Sequence, residues 1–176
     1  MRMFAASKFN DSPKYLCRLA KAIILLAHPH FWRCFWPRYW TKINTFEHRV
    51  QNTQKLIRFL GRDRRVTLLS RSAGGRVASI IADQLGIERV ICLGYPFKHP
   101  DLPAEPERYQ HLATLKTPFL IIQGKRDAYG GQDILETYRL SPSIEVYFID
   151  TDHDFLLSPQ AWAQVLQKIT DAIGLI

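Results

Sequence analysis

Apolar residues along the chain follow two spacings, one typical of buried strands and the other of amphipathic helices. Short apolar runs predict strands at residues 3–6, 31–36, 65–69, 90–93, 119–122 and 144–149. Helical spacing predicts helices at residues 13–28, 47–60, 75–85, 109–115, 134–140 and 159–173. Strands that alternate with helices favour right-handed crossovers and a parallel sheet covered on both faces. The pattern therefore predicts one α/β domain over residues 1–176, a three-layer α/β/α sandwich around a mostly parallel sheet of about six strands.

One segment near the start has an alternative interpretation. Residues 22–27 are apolar enough to form a strand that ends at His28. That assignment leaves residues 1–20 without a role and stretches the next crossover as far as Val66. The helix over residues 13–28 is preferred, because Ser12 before Pro13 is a typical helix start and His28 precedes a proline.

Composition excludes several classes of protein. Of the 176 residues, 47% are hydrophobic and 23% charged, which excludes a disordered chain. The longest strictly apolar run, residues 22–27, is far shorter than the roughly 20 residues that span a bilayer. Lys21 interrupts the apolar stretch near the start, so we expect no signal peptide and no membrane association.

Cysteine usage and charge give weaker indications. The three cysteines lack zinc or disulfide spacing, which indicates reduced thiols and a cytoplasmic location. The net charge is +8, but the basic residues are scattered, with only residues 62–65 forming a short cluster. We therefore interpret the charge as a solvated basic surface and expect no nucleic-acid partner.

The first candidate catalytic residue lies where the strand at residues 65–69 passes into a helix through a serine-rich turn. Ser72 lies at its centre, with Ser70 and Gly74 as small residues two positions to either side. A sharp strand-to-helix turn of this kind exposes a nucleophilic hydroxyl and directs the next amide, that of Ala73, at a developing oxyanion. The alternative is that Ser72 only caps the helix.

A base and an acid follow in suitable places. In an open parallel sheet, ligands bind at the carboxyl ends of the strands. Asp127 lies just after the strand at residues 119–122, and His153 just after the strand at residues 144–149. The order serine, acid, histidine suits Ser72 as nucleophile, His153 as general base and Asp127 as the residue that orients it.

Each of these two residues also has a simpler interpretation. Asp127 could be a helix cap or a surface turn residue, and His153 a loop histidine kept charged by its acidic neighbours. A metal site in the acidic segment at residues 150–154 is weakly indicated, because adjacent side chains cannot all face one ion. We expect no metal and no cofactor.

These motifs resemble the α/β-hydrolase superfamily, in particular its small dienelactone-hydrolase-like, Tex30/KANSL3-like group. Five segments carry the resemblance. They are the strand-to-helix turn at residues 70–78, the segment at residues 93–97, Arg108 with His111 and Leu112, and the loops at residues 124–130 and 153–154. Upstream, residues 10–13 and 35–39 are similar to that group's first helix entry and its following loop. The resemblance implies a minimal α/β-hydrolase fold that lacks the first strands.

The resemblance also implies a second oxyanion donor from a glycine-containing loop near the start of the chain. Residues 4–8 occupy that place without a glycine. Either the amides of Ala6 or Ser7 are the donors beside Ala73, or the oxyanion hole is degraded. Losing one such donor typically costs roughly 100- to 1,000-fold in rate.

We therefore expect a cytoplasmic serine hydrolase that acts on a small-molecule acyl substrate, an ester or thioester. Arg71 beside the nucleophile suggests an acidic substrate or, as the simpler reading, a salt-bridged surface arginine. The alternative function is a catalytically weak hydrolase-fold module that binds a partner. Its basis is an aromatic cluster that could cover a sheet edge or mediate a homodimer, formed by Trp32, Trp36, Tyr39 and Trp40.

Overall fold

The computed structural model describes residues 45–61 and 64–174. The chain divides into two compact units, residues 1–48 and 49–176, and the elements below belong to the second unit except for the start of the first helix. The strands are β1 Thr67–Arg71, β2 Arg89–Leu93, β3 Phe119–Gly124 and β4 Ile144–Ile149. The helices are α1 Phe46–Leu60, α2 Ala73–Leu85, α3 Ile134–Thr137 and α4 Pro159–Ile173, with 3-10 turns at Pro106–Arg108 and Gln110–Thr114.

The four strands form one parallel sheet in the order β1-β2-β3-β4. All six residues of β3 are buried, as expected for a parallel strand covered on both faces. Among the described strands β1 is at one end of the order, and it alternates between exposed and half-buried residues. The core therefore lies around β2 and β3.

Helices cover both faces of the sheet. On one face α2 packs so closely on β2 that a side chain at Gly75 would overlap the sulfur of Cys92. On the other face Ile91 packs with Val165 of α4. Adjacent residues of a strand point to opposite faces, so α2 and α4 lie on opposite sides of the sheet. The predicted α/β/α layering with a parallel sheet is confirmed.

Several predicted bounds differ from the observed ones. β1 begins two residues later than predicted, at Thr67. It extends through Ser70 and Arg71, because both residues pair with β2 and the Ser70 hydroxyl donates to the Ile91 carbonyl (2.9 Å). α3 ends at Thr137, since Tyr138 turns to an extended conformation where its ring stacks on Phe97. β4 and the final helix have the predicted extents, and Ser158 caps that helix by accepting from the Ala161 amide.

Other predictions fall outside the described residues. These are the strands at residues 3–6 and 31–36, the helix at residues 13–28 with its alternative, and the aromatic cluster around Trp32, Trp36 and Trp40. The full count of six strands, the single domain and the homodimer accordingly stay predictions. Within residues 45–61 and 64–174, no helix has the length and apolar character needed to cross a membrane.

A buried polar cluster ties α2 to the second 3-10 turn. The Ser79 hydroxyl donates to the Arg76 carbonyl (3.1 Å) and lies 2.8 Å from His111 Nε2. Burial, and then the charge of Arg76, lower the pKa of His111 to about 4.

We expect His111 to make the fold acid-sensitive. Its pKa lies below the ordinary 6.5, so the unfolded chain takes up a proton first as the pH falls, and the free energy of unfolding decreases between pH 6.5 and 4. His111→Gln keeps a side chain that can hydrogen-bond Ser79 and removes this titration. Its Tm should therefore fall less steeply than that of the wild type over this range, measured by thermal circular dichroism.

The matched control is His48→Gln, because His48 is an exposed residue of α1. This variant should keep the wild-type dependence of Tm on pH. Parallel curves for the wild type and His111→Gln would contradict the assignment.

Candidate active site

Ser72 occupies a sharp turn between β1 and α2. Its backbone has φ 50° and ψ −123°, and residues other than glycine rarely adopt a positive φ. The Ser72 amide donates to the Leu93 carbonyl (3.1 Å), and its own carbonyl accepts from the Gly75 amide (2.8 Å). The hydroxyl does not cap α2, so the capping alternative is wrong. The Ser72 hydroxyl lies 2.9 Å from His153 Nε2 instead.

The turn depends on the glycine that follows it by three residues. A Cβ at Gly75 would overlap Cys92 Sγ and come within 3.1 Å of the Tyr95 ring. At Gly74 the same atom would meet only Ser70 Cβ at 3.5 Å, an ordinary contact. The tight position is therefore Gly75, and the small pair Ser70 and Gly74 is less constrained than the motif suggests.

Asp127 lies in the loop between β3 and α3, residues 125–133, hereafter the acid loop. Its side chain is fully buried. Oδ1 accepts from the Tyr129 amide (2.8 Å), and Oδ2 accepts from Gln123 Nε2 (3.0 Å) and from His153 Nδ1 (2.8 Å). An ionised carboxylate only accepts hydrogen bonds, and three donors converge on this one. Asp127 is thus neither a helix cap nor a surface residue.

His153 lies between the other two residues in the loop at residues 150–158, hereafter the histidine loop. Asp127 Oδ2 has no proton to donate, so His153 Nδ1 carries the ring proton and Nε2 accepts from the Ser72 hydroxyl. Asp152 Oδ1 accepts from the Asp154 amide (3.0 Å) rather than from the ring. The hydrogen-bond partner of His153 Nδ1 is therefore the Asp127 carboxylate and not that of Asp152.

Two residues of this site were not predicted as part of it from the sequence. Gln123 is fully buried at the end of β3, where Nε2 donates to Asp127 and to the Gly130 carbonyl (2.6 Å), and Oε1 accepts from the Tyr95 amide (2.8 Å). Gly94, at φ 65°, lies against the pair: a Cβ there would be in ordinary contact with Asp127 Oδ2 and His153 Nδ1 (3.4 Å each) and in tight contact with the Phe155 ring (3.1 Å). A polar residue directly after the apolar run at residues 119–122 was the available signal for Gln123.

The predicted oxyanion donors are only partly described. Ala73 is the first residue of α2, where the amide has no acceptor within the helix and the helix dipole favours negative charge. Ala6 and Ser7 lie outside the described residues. Within the described part of the chain, no group of three or more His, Cys, Asp or Glu side chains could hold a metal ion.

A cavity of about 440 Å³ lies next to the acid loop. Tyr129 connects it to the site, because the Tyr129 ring contacts the His153 ring (centroids 4.4 Å apart) and the His99 ring (5.7 Å). The lining includes three aromatic residues and three polar ones: Phe97, Tyr109, Tyr138, Lys98, His99 and Glu105. The Tyr129 ring therefore connects His153 to a cavity whose lining is partly aromatic.

Comparison with known proteins agrees with the observed fold. The family described as alpha/beta hydrolase domain matches residues 41–175. A hydrolase-superfamily protein from Xanthomonas campestris pv. campestris has a TM-score of 0.50 at 20% identity, over 70% of this chain and 69% of its own. An alpha-beta serine hydrolase homologue from Coxiella burnetii has a TM-score of 0.54 at 17% identity, over 64% and 53%.

A structure of the metagenome-derived lipolytic enzymes LipS and LipT is similar at a TM-score of 0.54 and 15% identity, over 72% of this chain and 73% of that one. No curated protein matches the chain. Identities this low show the fold, whereas the family match extends over most of the sequence. The match at residues 41–175, together with the parallel sheet and its strand-to-helix turn, shows that the chain belongs to the alpha/beta hydrolase family.

Proposed function

We propose that this hydrolase is a serine hydrolase acting on a small-molecule ester, thioester or related acyl substrate. The observation that carries the proposal is the continuous hydrogen-bonded chain from the Ser72 hydroxyl through the His153 ring to the buried Asp127 carboxylate. Ser72 also has the backbone conformation of an exposed nucleophile at the start of a helix.

In the first half of the reaction Ser72 Oγ attacks the acyl carbon, and His153 Nε2 takes its proton. Asp127 keeps the ring in the tautomer that can accept this proton and stabilises the imidazolium that forms. His153 then returns the proton to the departing alcohol or thiol, which leaves Ser72 acylated. In the second half a water molecule repeats these steps and releases the acid.

Negative charge on the acyl oxygen needs donors fixed before the reaction begins. The Ala73 amide is one of them, because it follows the nucleophile and starts α2. We assign the second donor to the amides of Ala6 or Ser7, as the family resemblance implies. The apolar part of the substrate has a suitable place in the cavity beside Tyr129, whose lining includes aromatic residues.

Cys92 is not a competing nucleophile in this proposal. Burial raises the pKa of its thiol to about 12, so the reactive thiolate is absent near neutral pH. Its sulfur lies against α2 under Gly75, away from any approaching substrate.

The finer classification is also part of the proposal. The names of the Coxiella burnetii protein and the metagenome-derived enzymes, a serine hydrolase homologue and lipolytic enzymes, support acyl chemistry. We retain the dienelactone-hydrolase-like, Tex30/KANSL3-like group as the subgroup and the cytoplasm as the location.

The first test is covalent labelling. A fluorophosphonate probe should label the wild type and leave Ser72→Ala unlabelled, because the probe needs the serine oxygen. Hydrolysis of p-nitrophenyl acetate should fall by roughly 1,000-fold or more in this variant, as when a nucleophile is removed from a comparable site.

Ser70→Ala is the matched control, since Ser70 is two residues away and its hydroxyl donates to the Ile91 carbonyl rather than to the histidine. It should keep labelling and turnover. A wild type that stays unlabelled while showing a cooperative thermal transition would overturn the serine hydrolase assignment.

The second test removes the amide that supports Asp127. Gln123→Glu has nearly the same shape but places a carboxylate oxygen against Asp127 Oδ2 and the Gly130 carbonyl, where Nε2 now donates. We expect the free energy of unfolding to fall by about 1–3 kcal/mol, the cost of leaving buried polar groups unpaired. The kcat should fall as well, with partial recovery at lower pH where the pair takes up a proton.

Denaturant unfolding and the pH dependence of kcat measure these two effects. Gln164→Glu makes the same change on an exposed position of α4 and should alter neither. A Gln123→Glu protein with wild-type kcat at every pH would contradict the supporting role of Gln123.

A further inference from the structure

We propose that Arg71 is a positioning residue that fixes the general base relative to the nucleophile. This inference rests on the proposed function and deepens it. The Arg71 guanidinium, through Nη2, donates to the carbonyl of His153 (2.9 Å) and to the carbonyl of Asp154 (3.1 Å). Neither an acidic substrate nor a salt bridge is needed to account for this side chain.

The location of Arg71 makes these contacts significant. Arg71 is the last residue of β1 and directly precedes Ser72, so nucleophile and arginine share one strand end. Its backbone is fixed by pairing with Leu93 of β2. At this end of β1, the Ser72 hydroxyl contacts the His153 ring and the Arg71 guanidinium contacts the His153 backbone carbonyl. Arg71 and His153 are 82 residues apart in the sequence.

The histidine loop needs such support because it has no regular secondary structure around the base. Asp152 is exposed, and Phe155 has φ 56°, a conformation unfavourable for a phenylalanine. A guanidinium can donate to two neighbouring carbonyls at once, and hydrogen bonds with a charged donor are roughly twice as strong as neutral ones. Arg71 therefore holds the loop at the point where His153 leaves the backbone.

This role predicts an effect on chemistry rather than on substrate binding. Proton transfer from Ser72 requires its hydroxyl to stay within hydrogen-bond distance of Nε2, and displacement of about 1 Å can cost about 100-fold in rate. Arg71→Gln should lower kcat by 10- to 100-fold, within that limit, and leave KM nearly unchanged. Arg71→Lys, with a single nitrogen, should fall between the wild type and Arg71→Gln.

The experiment compares these variants on a neutral ester, p-nitrophenyl acetate, and an anionic one, p-nitrophenyl hemisuccinate. Arg65→Gln is the matched control, because Arg65 is an exposed arginine that pairs with Glu88 away from the site. Thermal melts verify folding, and Arg71→Lys maintains the test if Arg71→Gln does not fold. A third variant, Arg71→Ala, is assayed with added guanidinium ion. The ion should restore part of the kcat, whereas a variant that lost activity only because its fold was damaged would not recover.

The outcomes separate the two proposals. An equal fall in kcat on both esters with little change in KM, together with rescue by guanidinium, supports the positioning role. A rise in KM confined to the anionic ester overturns it in favour of substrate recognition. Wild-type kcat in folded Arg71→Gln also overturns it while leaving the serine hydrolase intact. A wild type that hydrolyses neither ester and takes up no fluorophosphonate overturns the proposed function and the role of Arg71 with it.

Discussion

The approach of the acid loop to the histidine loop at Gly124 is the constraint on which the site depends. Gly124 ends β3, and a Cβ there would lie 2.6 Å from the Thr151 carbonyl oxygen. The absence of a side chain lets the two backbones join through the Lys125 amide to the Ile149 carbonyl (2.9 Å) and the Arg126 amide to the Thr151 carbonyl (3.0 Å). These bonds continue the parallel pairing of β3 and β4 beyond the strands. They bring the two loops into contact, and Asp127 and His153 with them.

Burial of the Asp127 charge sets a second requirement. A carboxylate transferred from water to the interior costs several kcal/mol unless donors replace the lost hydration. The Tyr129 amide, Gln123 and His153 provide those donors, and Gln123 is itself held by the Tyr95 amide. The same contacts that make the buried charge tolerable also fix its direction. Stability and orientation therefore depend on one polar network at the carboxyl ends of β2 and β3.

Much of this arrangement could be predicted because it follows from chain order and strand direction. Ser72, Asp127 and His153 each come after a strand, and parallel strands end at the same edge of a sheet. Contacts that depend on side-chain direction could not be predicted in this way. The reach of Arg71 to two carbonyls and the position of Gln123 under Asp127 require the twist of the sheet and the loop conformations. The close contact of Gly75 with Cys92 likewise depends on how α2 packs on β2.

The backbone at Phe155 has a consequence for how the site forms. Among the described residues other than glycine, only Ser72 and Phe155 have positive φ, a conformation that costs roughly 1–3 kcal/mol at each position. Burial of a phenylalanine ring returns a similar amount, about 2–3 kcal/mol, and the Phe155 ring is buried with Ile91 and Val165. That compensation exists only once β2 and α4 have packed together. We therefore expect the histidine loop to acquire its conformation late in folding, after the sheet and its covering helix, so that His153 is among the last groups to reach its place.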